Sequence, residues 1–179
     1  TVVCSTLPDA HGDGGRGINI QDDDAGKERA NVTIRACFVE QNQDVGVFVF
    51  GSDARIETSA VRNTKAKAGG TFGDGIAVFE GTATLQDVEV THNARAGISN
   101  FGGHVVVTGG VISCNDVDLD GEPFNNTPFS FDDSSGWQCS LPPHAECTEL
   151  TSECLAQTTG LEAPTKLPPV DPIKDPSKP

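Results

Sequence analysis

The chain has 179 residues, with 26 acidic side chains against 12 basic ones and a formal net charge of −14. That balance excludes nucleic-acid binding, which needs a basic face, and no stretch approaches the ~20 apolar residues of a membrane span. It suits solubility outside the cell, attraction of divalent cations or contact with basic partners, and the length suits one domain.

In chain order, residues 3–18, VCSTLPDAHGDGGRGI, echo residues 61–76, VRNTKAKAGGTFGDGI. Val3 therefore reads as the end of a repeat already under way, and the loops within the two echoing segments leave one corner two repeats apart. On this reading the chain, which starts at Thr1, is a fragment or a processed product. Asp9, His11 and Asp13 alternate in the first loop and are of metal-ligating types, but a solvated loop is the plainer reading. Gly17 and Ile18 open a repeat that is interrupted by a polar run at 22–28. Its consecutive carboxylates Asp22, Asp23 and Asp24 repel one another and read as a hydrated loop.

Three further segments share one frame: GVFVFGSDARIETSAVRNT at 46–64, GIAVFEGTATLQDVEVTHN at 75–93 and GISNFGGHVVVTGGVISCN at 97–115. The last two superpose on a slide of 22 positions, and a period of this size signals stacked coils. Read by column, Ile18, Val47, Ile76 and Ile98 coincide, as do Ile34, Ile56, Leu85 and Val107, and Val39, Val61, Val90 and Ile112. All are aliphatic, as inward positions must be when neighbouring coils share a core. Ahead of them stand Gly17, Gly46, Gly75 and Gly97, expected at tight corners that a Cβ would obstruct. Asn42, Asn93 and Asn115 close their repeats, with Thr64 taking that place once, and stacked asparagines can satisfy turn backbone from coil to coil. No helical period competes over 15–120. Cys37 falls in an inward column with Ser59 and Val88 and reads as a small buried hydrophobe.

Residues 116–122, DVDLDGE, set Asp116, Asp118 and Asp120 at alternate positions, so a strand would turn all three outward while Val117 and Leu119 face the core. The DxDxDG string also opens calcium loops, where oxygen ligands wrap a hard cation. Calcium is the cofactor this set would take; a solvated acidic stripe is the plainer reading, because the position of the closing Glu holds Thr127. His92, His104 and Arg95 have no partner legible in the sequence.

Past residue 120, GEPFNNTPFSFDDSSGWQCS reads as a last irregular coil and a cap, and AECTELTSECLAQ at 145–157 as a short helix covering the open end. After Gly160 a proline-rich tail reads as an extended linker. The six cysteines match no zinc spacing and fit an oxidising compartment. Cys114 and Cys139 stand about one coil apart, within disulfide reach on adjacent turns. That would leave Cys147 and Cys154 as a local pair and Cys4 unassigned.

The Gly-aliphatic openings, aliphatic columns and Asn endings, GIAVFEGTATLQDVEVTHN above all, resemble repeats of bacterial right-handed parallel β-helix proteins of the pectate-lyase-like superfamily, over roughly residues 1–139. The resemblance implies an all-β, single-stranded solenoid of about five to six coils, followed by a cysteine-containing cap at 140–160 and the tail at 161–179. It says little about chemistry, since the superfamily mixes polysaccharide lyases, hydrolases and epimerases with noncatalytic surface proteins. The function expected is structural or adhesive: a secreted or cell-surface protein offering its corner loops to a glycan or a surface protein. The rivals are a polysaccharide lyase or glycoside hydrolase using Asp116, Asp118 and Asp120 with calcium, and a self-associating subunit of an extracellular filament.

Overall fold

A computed structural model of the chain describes all residues except 9, 11–13, 24–27, 134–135, 141–146, 148 and 168–179. Among the described residues the protein is all-β, without a helix. The strands are β1 (Val2–Cys4), β2 (Ile18–Gln21), β3 (Asn31–Arg35), β4 (Phe38–Glu40), β5 (Val45–Phe50), β6 (Asp53–Glu57), β7 (Ala60–Arg62) and β8 (Asp74–Phe79). They continue with β9 (Thr82–Thr91), β10 (Ala96–Phe101), β11 (His104–Ser113), β12 (Val117–Glu122), β13 (Ser130–Asp133), β14 (Trp137–Ser140) and β15 (Leu150–Thr151).

The chain passes alternately between two parallel sheets. One has five strands in the order β12-β10-β8-β5-β2; the other has ten, with β1-β4-β7-β9-β11-β14-β15 as its main path and β3, β6 and β13 beside it. The columns read from the sequence are the register of these sheets. Ile34 lies opposite Ile56, Ile56 opposite Leu85 and Leu85 opposite Val107. Val39, Val61, Val90 and Ile112 form a second row. Ile18, Val47, Ile76 and Ile98 form a third, extended by Leu119. These rows are nearly all fully buried and meet in one core between the sheets. Parallel pairing forces this arrangement: a slip of one residue would turn every aliphatic outward.

Bends stack as the strands do. Ala36, Thr58, Asp87 and Gly109 adopt positive φ at one corner, Gln41, Asn63, His92 and Cys114 at a second, and Gly51, Glu80 and Gly102 at a third. His92 is thus an exposed turn residue, placed by the corner it occupies. The glycine column has a different cause from the one expected. Gly17, Gly75 and Gly97 do not have positive φ; a Cβ on each would come within 2.5–2.8 Å of the Asn42, Asn93 or Asn115 amide nitrogen and a neighbouring carbonyl. The glycines therefore make room for the asparagine ladder.

Beyond β12 the last repeat is irregular but still joins the ten-stranded sheet, Ser130–Asp133 pairing with His104–Val107 and Trp137 lying opposite Gly110. Trp137 is buried in the main core. The helix expected within 145–157 is replaced by β15, which pairs antiparallel with β14. A disulfide joins Cys139 to Cys154, in place of the expected Cys114–Cys139 and Cys147–Cys154 pairs. It ties the segment after β15 to β14, and an extended course suits this link between strands where a helix would coil the segment away. Cys37 is half buried against the core, as its column implied, and Cys4 is exposed.

Residues 158–167 are extended, as a proline-rich segment should be. They do not hang free: they cross the outer face of the five-stranded sheet from β12 to β2.

Because Leu85 fills a fully lined interior row, Leu85→Ala should lower unfolding stability by about 2–5 kcal/mol through lost burial and a residual cavity. Leu155→Ala, at a side chain 83% exposed, should change it by less than about 0.5 kcal/mol. Denaturant unfolding of the two variants side by side checks the contrast.

Candidate functional site

The ladder residues Asn42, Asn93 and Asn115 are buried and carry bonds between repeats. Asn93 Nδ2 donates to Asn115 Oδ1 at 2.9 Å, and Asn93 Oδ1 accepts from the Thr64 amide at 3.0 Å. Asn115 Nδ2 donates to Val90 O, and Asn42 Oδ1 accepts from both the amide and the hydroxyl of Thr6. The ladder closes turns and is structural; where Thr64 replaces asparagine, its buried hydroxyl has no hydrogen-bond partner among the described residues.

The three alternating aspartates do not converge. Asp116 is exposed. Asp118 stands opposite Gly97, in the glycine column, where the strand has just left a corner. Its Oδ1 accepts from the Asn115 amide and side chain, and its Oδ2 from the Ser140 amide at 2.7 Å. Asp120 lies in the row of Ser99 on the outer face of the sheet. No group of three or more His, Cys, Asp or Glu among the described residues is placed to hold a metal ion. Strict alternation predicts one shared face; the corner at the start of β12 breaks it, and each carboxylate answers a different need. Asp9, His11, Asp13 and Asp24 lie outside the described residues, while Asp22 bonds Lys166.

The outer face of the five-stranded sheet carries the densest chemistry. One outward row holds Asn19, Phe48, Ala77, Ser99 and Asp120; the other holds Gln21, Phe50, Phe79, Phe101 and Glu122. Phe50, Phe79 and Phe101 stack at centroid separations of 5.8 and 4.6 Å. Phe48 lies under the Arg16 guanidinium at 3.7 Å, close enough for a cation–π contact. Arg16 also pairs with the buried Asp44 at 2.8 Å, and Arg95 pairs with Asp74. Asp74 further accepts from Ser99 Oγ at 3.1 Å.

Across this face lies the 158–167 segment. Thr159 donates its amide and hydroxyl to Asp120 Oδ1, Leu161 and Ala163 join the aromatic cluster, and Arg95 donates to Glu162 O at 2.8 Å. Arg16 donates to Thr165 O and Gln21 to Leu167 O, while Lys166 reaches Asp22 Oδ1 at 2.6 Å. Burial raises the Asp120 pKa above the usual carboxylate range against the opposing pull of the Thr159 bonds, and its Oδ2 has no hydrogen-bond partner among the described residues.

Two other places have chemistry. His104 meets Ser130 Oγ through Nδ1 at 2.7 Å and Asp132 through Nε2 at 3.5 Å. Adjacent parallel strands bring the three together on the sheet surface, a contact the sequence did not reveal, with Ser130 and Asp132 exposed and His104 half-buried. At the opposite end, the first loop and the 65–73 loop close on an open cleft of about 550 Å³ lined by Leu7, Pro8, Ala10, Gln43, Lys67 and Ala68, among others. These are the two insertions that the 3–18 and 61–76 echo placed at one corner.

Cys147 lies beside Cys114, and the hydrogen bond between the two side chains, with burial second, pushes the Cys147 pKa up to about 11. No protein-family model, curated protein or solved structure matches this chain.

Two titration outcomes follow from these environments. A raised carboxyl pKa contributes stability that is full below the ordinary carboxylate value and is lost as pH rises through the folded-state value. Asp120→Asn should therefore gain thermal stability relative to the parent as pH climbs from about 3 to about 7, as a melting series would record; an unchanging difference would contradict the assignment. At about pH 8, Cys147 should react with an alkylating reagent far more slowly than the exposed Cys4, accelerating only toward its raised pKa. Peptide mapping after timed alkylation measures both rates.

Proposed function

We propose that this chain is a right-handed parallel β-helix of the pectate-lyase-like kind, with about five to six coils, serving a structural and adhesive role outside the cell. The observation that carries this reading is the cleft between the two corner loops. Insertions from one corner, two repeats apart, meet over an apolar floor edged by Lys67, which is the arrangement expected of loops that present a surface to a ligand while the stacked sheets act as scaffold. Alternation between two parallel sheets and the three stacked corners support the winding. The Cys139–Cys154 link supports an oxidising location.

The ligand on this reading is a glycan or a surface protein held by Leu7, Pro8, Ala10 and Lys67. Binding on a glycan array, weakened at least about tenfold (~1.4 kcal/mol) by Leu7→Asp, would support it. Leu7 is largely exposed, so that change should spare the fold. Array binding that ignores Leu7→Asp and Lys67→Glu would sink the cleft assignment.

A polysaccharide-active enzyme has a second, more specific support: Asp74, Ser99 and Asp120 on one sheet face, with one carboxyl kept more protonated than usual. Its substrate would have to displace the 158–167 segment. Release of unsaturated uronates or reducing ends from polyanionic glycans would favour it over the adhesin. Filament growth has less support, since β15 pairs with β14 and Gln157 bonds along β12 at the C-terminal end.

A further inference from the structure

The segment over the five-stranded sheet is bound in a manner that depends little on its being part of the same chain. An extended, proline-bearing strand makes no internal hydrogen bonds, so its carbonyls are available to a receptor. Here Arg95, Arg16 and Gln21 donate to the carbonyls of Glu162, Thr165 and Leu167. Pro164 is buried, and Lys166 is fixed by Asp22 Oδ1 at 2.6 Å and Asp23 O at 3.0 Å, with its ammonium 5.3 Å from the centre of the Phe50 ring. Aromatic rings, carbonyl-directed donors and one acidic socket make up a reader of extended proline peptides.

The element held is Pro164-Thr165-Lys166-Leu167; in the sequence Pro168 follows it, which sets the lysine midway between two prolines. The chain carries that spacing a second time, as Pro172-Ile173-Lys174-Asp175-Pro176. We propose that the outer face of the five-stranded sheet is a binding site for Pro-x-Lys-x-Pro peptides, that residues 160–167 are its resident occupant, and that its ligand in trans is the 172–176 segment of a second copy of this chain. The resident segment competes from a local concentration on the order of millimolar, as a short tether gives. A second chain therefore gains the site only when the resident hold is weakened. This assignment is independent of the corner-loop cleft.

The test uses the full chain with Lys166→Glu and Lys174→Glu together, which sets a carboxylate against Asp22 and silences both of its own motifs. A fluorescent peptide of residues 169–178 is titrated into this variant and into the unaltered protein, with thermal melting to check the fold. Binding at least about tenfold tighter to the variant, lost when the peptide carries Lys174→Glu, is the expected result. Equal binding to both proteins, no binding to the folded variant, or indifference to the peptide's lysine would overturn the proposal. Should the double variant fail to fold, Lys166→Ala with Lys174→Ala removes the same contact without the repulsion, and the same ordering is required of it.

Discussion

Everything in this protein depends on the in-register stacking of aliphatic rows between two parallel sheets. Ile56 is useful because Ile34 and Leu85 flank it at one strand spacing, and the same holds along each row. A single repeat buries too few side chains, at roughly 1.5–3 kcal/mol each, to offset an ordering cost of about 1.5 kcal/mol per residue. Repeats therefore stand only as neighbours, and the backbone bonds that join them come from the same register. The asparagine ladder and the glycines that make room for it are the turn-side counterpart of those rows.

Once the inner face is committed to the core, the outward face is where the repeats can differ. In the ten-stranded sheet the outer surface is largely polar, with hydrogen bonds from Arg55 and then Arg35 holding the Glu57 pKa down. In the five-stranded sheet it is aromatic and ionic, and the chain covers it with its own extended segment. Arg16, which bonds that cover, forms a buried ion pair with Asp44, an arrangement that costs desolvation and depends on good geometry. Among the described residues one oxygen each of Asp44 and Asp120 has no hydrogen-bond partner, so part of that cost is not offset there.

The inner architecture was legible because it repeats. Identical demands at each turn wrote Ile, Leu and Val into fixed columns and asparagine into the turns, and the structure uses those columns as its register. The phenylalanine row is equally present in the sequence, since Phe50, Phe79 and Phe101 each stand four residues after a column glycine; it is harder to read because the other repeat opening, at Gly17, has Gln21 in that place and the last strand has Glu122. Asp118 and Asp120 have separate partners for a local reason: alternation holds along a straight strand, and β12 begins at a corner. The cover segment left no trace, because an extended proline segment has no apolar period and its partners are more than a hundred residues away in sequence for Arg16 and Gln21. The meeting of His104 with Ser130 and Asp132 was hidden by the irregular stretch before β13, which changes the repeat length. Cysteine pairing followed from the placement of β15, which spacing alone does not determine.

The most direct measurement is a set of methyl–methyl nuclear Overhauser contacts in solution along one interior row. Cross-peaks linking Ile34 with Ile56, Ile56 with Leu85 and Leu85 with Val107, each at about one strand spacing of ~4.8 Å and with none skipping a neighbour, are what stacked repeats require. Missing links between successive members, or contacts pairing Leu85 with residues outside its row, would contradict a shared interior and the site placements built on it.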